Sequence, residues 1–356
     1  MVTGFAKAPS TVGFINQLFD GTFEADAIVA DVLSPGEKKE EVESALNEAE
    51  VVLDFSASVP VARYLSHDSK TMGRRISVFL NPSGTDLVIL AEDEMRSITL
   101  ADLEMQLYHA IITDENWRGH LQSASEMIRY TRSCGDLSGR IPQDFIASHA
   151  ATTSRALRRT IPAKEASIGL WRLDAESDGL VRRTLTPEPV VEVKSGTWTV
   201  RADQGLIRKI HKMRAERLPV ETGGVLVGSF DTQRKIVYLV DALPAPPDSE
   251  ERQDSFVRGC VDLKENIAHI RSITANQVLY AGEWHSHTAG RNCQPSRKDF
   301  TLFNVLATQR LADGLPPLML IVGDNNEFAW FVEQMPEPPE STKVLCVVQL
   351  AGGNTR

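Results

Sequence analysis

Cysteine is scarce in this chain: four in 356 residues, at Cys134, Cys260, Cys293 and Cys346. They are scattered, with no Cys-x-x-Cys pair. That excludes the spacing of a zinc ribbon or a disulfide framework and fits a reducing cytoplasm. Surplus positive charge is also missing. The formal net charge is -10, whereas general nucleic-acid binding needs a basic face, so no nucleic acid is expected as a partner. No apolar run is long enough to cross a bilayer, so no membrane is expected either. The start, MVTGFAKAPSTVGF, lacks the basic opening and apolar core of a secretory signal. No internal repeat or low-complexity tract occurs.

Hydrophobic content of 42% and charged content of 24% are those of a globular chain. The length favours two or three domains. In the first part, EKKEEVESALNEAE reads as a charged helix and VVLDF as a buried strand. RISVFL and TDLVILAED read as strands joined by an Asn-Pro-Ser-Gly turn, and LEMQLYHAIITDENWRGHLQSASEMIRYT and FIASHAATTSRALRRTI as helices. Such alternation predicts an α/β sheet with helices on its faces. Residues 163–197 mix short strands with polar turns and read as a connector. From WTVRADQ a second unit begins, with strands TGGVLVGSF, RKIVYLVDALP, QVLYAGEWHSH and LPPLMLIVG alternating with helices. The expected organisation is therefore 1–162, a connector over 163–197, and 198–350.

The stretch EWHSHTAGRNCQPSRKD carries the chemistry. In a strand, residues two apart share a face, so His285 and His287 present two imidazoles side by side while Ser286 points away. Two such ligands suit zinc, whose catalytic sites take three protein ligands and leave a place for water. Asp299 is the first carboxylate after the pair. PSRKD is equally a helix start, with Ser296 as N-cap and Asp299 at the third helical position. The two readings of Asp299 are compatible, because a first-turn carboxylate is held firmly. Upstream, PVETGGVLVG places Glu221 just before a strand. It reads either as a glycine turn feeding that strand or as a base for a metal-activated water. Cys293, in the loop, is a bland loop residue or a thiolate ligand that would close the open position.

Together, Glu221 with TGGVLVG, then His-Ser-His, then Ser296-x-x-Asp299 resemble the JAMM (MPN-plus) metallopeptidases over about 198–340. The resemblance implies that His285, His287 and Asp299 bind one zinc per chain and that Glu221 is the general acid/base. It implies that Ser296 donates to the oxyanion. It further implies cleavage after the C-terminus of a ubiquitin-like protein, or of its conjugates. Two departures stand: eight residues, TAGRNCQP, separate His287 from Ser296 where the family has seven, and Thr288 replaces a frequent proline. A loop absorbs one extra residue at small cost.

Residues 1–162 more loosely resemble the later portion of ThiF-like adenylyltransferases, through EVVLDFSASVPVARYL, ISVFLNPSGTDLVILAED and RSCGDLSGRIPQDFIASHAA. The expected fold is thus α/β, a partial Rossmann-type ThiF-like module followed by a JAMM/MPN domain of mixed sheet flanked by helices. No Gly-x-Gly-x-x-Gly occurs near the start, where such enzymes meet nucleotide phosphates. Ser56-Ala57-Ser58 stands where relatives carry Asp-Asn, leaving Asp54 as a strand-end residue. The module is therefore expected not to adenylate by itself; Cys134 reads as a thioester relic or a plain loop cysteine. The alternatives are a non-catalytic MPN-type binding module for a ubiquitin-like partner, or part of an ATP-dependent adenylyltransferase.

Overall fold

A computed structural model describes residues 6–69, 71–121, 141–174, 176–177, 179–336 and 348–349. Cys134 and Cys346 lie outside the described residues. The first unit runs α1 (Lys7–Phe19), α2 (Lys39–Glu48), β1 (Val51–Asp54), α3 (Val59–Arg63), β2 (Arg74–Leu80), β3 (Asp86–Ala91), α4 (Leu100–Thr113), α5 (Gln143–Thr160), β4 (Ser167–Asp174) and β5 (Gly179–Leu185). Its sheet has the order β1-β2-β3-β4-β5. Only β1 and β2 pair parallel; the other neighbours are antiparallel. The α/β class holds, as a mixed sheet rather than a mostly parallel one.

The Asn-Pro-Ser-Gly turn closes the β2–β3 hairpin as its sequence predicts. Gly84 sits at φ 74 and donates its N–H to the Asn81 carbonyl. This is the left-handed region that glycine enters without a Cβ penalty. Asp54 ends β1, accepting from the Ser56 N–H at 2.8 Å and the Ser77 hydroxyl at 3.1 Å. The long helix expected through Thr131 is broken: α4 stops at Thr113, where Asp114 accepts the Asn116 N–H at 2.8 Å, and residues 122–131 of that expectation lie outside the described residues. That local turn competes with further helix.

The second unit runs β6 (Val190–Ser195), β7 (Trp198–Asp203), α6 (Gln204–Arg217), β8 (Gly223–Asp231), β9 (Ile236–Leu243), β10 (Glu250–Glu251), β11 (Phe256–Val257), α7 (Leu263–Ile273), β12 (Leu279–Ser286), α8 (Arg297–Ala312), β13 (Leu318–Val322), β14 (Glu327–Val332) and β15 (Val348–Gln349). Its large sheet has the order β15-β14-β13-β12-β8-β9-β7-β6. Residues 163–197, expected as a connector, are divided between the two sheets: β4 and β5 complete the first, and β6 edges the second. The buried Ile168 and Leu170 of β4 explain why that segment cannot be a free linker.

Alternation along the strands separates the two faces of the large sheet. Leu226, Leu318 and Leu320 pack with Leu206, Ile207 and Ile210 of α6. Met319 and Ile321 pack with Phe303 and Leu306 of α8, on the opposite face. Val225 and Val227 share a core with α7 and α4.

The two units meet across α4. Eleven of its fourteen residues are buried, as expected of a helix covered on all sides. Leu103, Leu107 and Ile111 join Val227, Tyr238, Val240 and Ile273 in one core. Arg201 holds Asp102 with two bonds of 2.8 Å, and Arg63 pairs with Glu104 at 2.9 Å. Among the described residues, no helix is long and apolar enough to cross a membrane.

Candidate metal centre

Strand β12 sits at the middle of the large sheet, antiparallel to β8 and parallel to β13. His285 is its penultimate residue, opposite Gly223 and Ile321. His287 follows the strand end and donates its backbone N–H to the Val322 carbonyl at 2.9 Å. The two imidazoles stand side by side with ring centres 5.5 Å apart. Both residues are buried. Ser286 points to the other face. It is fastened to Thr222 twice, Ser286 N–H to the Thr222 carbonyl at 2.7 Å and Thr222 N–H to the Ser286 hydroxyl at 3.1 Å. The middle residue of His-Ser-His thus fixes the backbone next to Glu221.

Asp299 arrives from α8. Ser296 is the N-cap: its hydroxyl accepts from the Asp299 N–H at 3.3 Å, and the Asp299 Oδ2 accepts from the Ser296 N–H at 2.6 Å. This capping box satisfies two orphan donors and fixes the carboxylate. Asp299 Oδ1 lies 3.1 Å from His285 Nε2, and Oδ2 lies 3.5 Å from His287 Nε2. One ligand atom from each of the three residues lies within 4.8 Å of the others. Burial pushes the Asp299 carboxyl up, but the two imidazoles and the Ser296 N–H outweigh it and hold it well below the ordinary carboxylate range.

Two details test whether these residues suit a cation. His287 Nδ1 lies 2.6 Å from the Asn292 carbonyl. A carbonyl only accepts, so Nδ1 carries a proton and Nε2 is the nitrogen turned toward Asp299, where it can meet a cation. His285 Nε2 is buried and faces Asp299 Oδ1. Two imidazole nitrogens and a carboxylate oxygen are the donor set of a catalytic zinc site with a place left open. The residues fit such an ion.

Glu221 is buried, and its backbone N–H donates to the Arg252 carbonyl at 2.7 Å. Burial raises its carboxyl pKa; His287 and His285 pull it down, and Asp299 pushes it up again. Glu221 therefore feels the charges of all three candidate ligands. The two glycines that follow permit close approach: a Cβ on Gly223 would lie 2.4 Å from the Phe256 ring, and one on Gly224 would lie 2.1 Å from the Leu243 carbonyl oxygen. Phe256 thus packs over the start of β8, and the β10–β11 hairpin covers the backbone beside Glu221.

The eight-residue loop is an ordered structure. Thr288 donates its hydroxyl to the Pro219 carbonyl at 2.7 Å, tying the loop to the segment before Glu221. Cys293 is fully buried among Phe303, Met319 and Ile321, and burial pushes its thiol up to about 11. The ligand atoms that converge are those of His285, His287 and Asp299, and Cys293 is not among them, so the core reading of Cys293 is favoured over the thiolate one.

Other positioning groups were not evident from sequence. Arg214 of α6 donates to the carbonyls of His287 at 2.9 Å and Thr288 at 3.2 Å and pairs with Asp324. Nothing in the local sequence marks it, because its partners lie 73 or more residues away. Glu283 carried a signal, since it lies two residues before His285 on a strand and so shares its face. It is buried and accepts from Arg258 at 2.8 Å and from the Tyr280 hydroxyl at 2.8 Å.

Residues 203–333 match the family described as prokaryotic homologues of the JAB domain. Over 103 residues the chain is 35% identical to a CD-NTase/cGAS isopeptidase of Enterobacter hormaechei, covering 29% of this chain and 55% of that relative. The chain thus spans about half the length of the curated relative it matches. A solution structure of a Desulfitobacterium hafniense protein aligns with 37% of this chain and 82% of its own, at 19% identity and a TM-score of 0.27. The stretch that matches the prokaryotic JAB description, residues 203–333, contains Glu221, His285, His287, Ser296 and Asp299.

Proposed function

We propose that the chain is a zinc-dependent isopeptidase or peptidase that cleaves after the C-terminus of a ubiquitin-like protein. The observation that carries this reading is the convergence of His285, His287 and Asp299 within 4.8 Å, beside a buried glutamate. The isopeptidase name of the Enterobacter relative supports a protein conjugate as substrate.

When bound, zinc supplies a Lewis acid for the scissile carbonyl and brings the pKa of a water to about 7. The chain's own residues do the rest. His287, oriented by the Asn292 carbonyl, and His285 hold the ion from the sheet, and Asp299 holds it from the helix cap. Glu221 takes the proton of the attacking water and delivers it to the leaving amine. Its raised pKa suits that shuttle, since a more basic carboxylate accepts the proton more readily. The Ser296 hydroxyl accepts from the Asp299 N–H and keeps its own hydrogen for the carbonyl oxygen as negative charge develops there. In this reading the first unit, with its ThiF-like sequence, holds the ubiquitin-like partner rather than adenylating it.

Metal content and turnover together test the proposal. Wild-type protein is expected to carry about one zinc per chain, and the His285→Ala and His287→Ala variants none. Glu221→Gln is expected to keep the metal and lose about 10²- to 10⁴-fold in turnover of a fluorogenic ubiquitin-like C-terminal amide. A wild-type chain that binds no zinc at saturating metal refutes the proposal. Unchanged turnover in Glu221→Gln refutes the base assignment. A ubiquitin-like protein captured but never cleaved favours a binding module instead.

A further inference from the structure

Helix α1 is built but not covered. None of its 13 residues is buried. Phe14 is 66% and Leu18 63% exposed, with Phe19 at 47% and, just past the helix end, Phe23 at 55%. The turn that follows has a defined structure. Asp20 takes the left-handed conformation at φ 43 and donates its N–H to the Asn16 carbonyl at 3.2 Å. The Asn16 side chain donates to the Ala25 carbonyl and accepts the Ala25 N–H, both at 2.8 Å. The Phe19 and Phe23 rings meet edge to face with centres 5.8 Å apart.

An isolated helix shorter than about 12–15 residues is marginal in water even when rich in alanine. α1 also contains Gly13 and the β-branched Thr11, Val12 and Ile15, all weak helix formers. It therefore needs a covering surface. Its exposed residues Lys7, Thr11, Phe14 and Leu18 recur at alternating spacings of four and three, the row that forms the seam between two packed helices.

Three features of this face select a second copy of the chain as its cover. No charged residue occurs between Lys7 and Asp20, in a chain of net charge -10. Two copies repel one another over most of their surface but not across this one. The helix ends are opposite in charge, with Lys7 at the start and Asp20 just past the finish. Antiparallel packing about a two-fold axis sets each Lys7 beside the end of the other helix, where Asp20 and the helix dipole are both negative. The area also fits. At about 200 Å² for each large side chain, Phe14, Leu18, Phe19 and Phe23 expose about 450 Å² in one copy and about 900 Å² in two. A standard interface buries about 1,600 Å² in total, a little over half of it apolar. We propose that the chain forms a two-fold symmetric dimer in which the α1 helices of two copies pack antiparallel along the face of Lys7, Thr11, Phe14 and Leu18.

Sedimentation equilibrium of the full chain tests this. Wild type is expected to have twice the mass of one chain. Phe14→Glu and Leu18→Glu each place a charge on the seam from both copies and are expected to weaken association by about 30-fold or more. Lys7→Glu is expected to weaken it by up to about fivefold. Hydrogen exchange of the α1 amides in wild type, which needs no variant to fold, is expected to slow as protein concentration rises through the range in which the dimer forms. A dimer that withstands both glutamate variants, or α1 amides that exchange alike in monomer and dimer, overturns the proposal. A monomeric wild type also overturns it and assigns the cover of α1 to the chain itself or to a different protein. None of these readouts involves zinc or turnover, so they succeed or fail independently of the hydrolytic site.

Discussion

Two groups of histidine and aspartate among the described residues, Asp86 with His120 in the first unit and Asp299 with His285 and His287 in the second, differ in what neutralises the carboxylate. Asp86 is clasped by Arg172 through two bonds and by His120 through a third. Asp299 ion-pairs, among the described residues, with His285 and His287 only. The first carboxylate has its cation built in. The second has two imidazoles beside it and a backbone cap behind it, which leaves a place for a cation from solution. Residue types alone do not separate a structural dyad from a metal centre; the presence or absence of a competing guanidinium does.

The largest expected effect breaks the comparison directly. Asp299→Asn removes one of three ligands and is expected to reduce zinc from about one per chain to a trace after dialysis. Asp86→Asn, the same change in the other group, is expected to leave zinc content unchanged. Metal analysis of the two variants side by side checks this. Equal zinc loss in both would erase the distinction.

Next in size is Arg172→Met. It leaves the Asp86 carboxylate without its guanidinium, and removing one partner of a buried pair costs about 3 kcal/mol. Urea denaturation is expected to show a lower midpoint with an unchanged slope, since the surface exposed on unfolding barely changes. The second unit offers a contrast. There Arg214 serves backbone carbonyls and Asp324 rather than the ligand carboxylate, so the same change at Arg214 is expected to disturb the His287 loop and lower metal affinity.

The pH dependence of stability sharpens the same point. The folded pKa of Asp86 is depressed to about 2, below the ordinary value near 3.9. A depressed carboxyl contributes stability that is fully present above the unfolded pKa and lost as pH falls through the folded one. The window is therefore between about pH 4 and pH 2, and the contribution is about 2 kcal/mol. Asp86→Asn is expected to flatten the fall in stability across that window, as measured by denaturant titrations at a series of pH values.

The candidate metal centre is the more legible of the two in sequence. His285 and His287 share a face because of strand periodicity, Ser296 and Asp299 form a cap because of helix chemistry, and both rules are local. The Asp86–His120–Arg172 group was not legible. Its members lie 34 and 86 residues apart and meet only because β4 returns to pair with β3, a strand within the segment read as a connector. The end of α4 at Asp114 was missed for a related reason. An Asx turn overrode a continuing apolar pattern, and Trp117 and His120 are buried in turns rather than on a helix face. Arg214, which donates to the His287 carbonyl from 73 residues away, belongs to the same long-range class; the Asn292 carbonyl is only five residues from His287, but the loop conformation that aims it is not written in residue types.

The smallest predicted effect separates the two duties of Ser296. Its hydroxyl caps α8, and in the proposed reaction it also donates to the oxyanion. Replacing an N-cap serine with alanine costs about 1 kcal/mol, whereas glycine costs only a few tenths. Ser296→Gly therefore spares the helix start while deleting the hydroxyl, and Ser296→Ala loses both. If the donor role is real, the two variants lose turnover alike, by up to about 10²-fold, while only alanine lowers the melting temperature appreciably. If Ser296 matters solely as the brace for Asp299, the loss of turnover follows stability and metal retention instead, and glycine stays near wild type. Capping here acts on a candidate ligand rather than on helix content, because the Ser296 N–H binds the same Oδ2 that faces His287. Neither substitution removes that backbone donor, so zinc content should survive in both, and a variant that lost the metal would place the hydroxyl, not the backbone, as the brace.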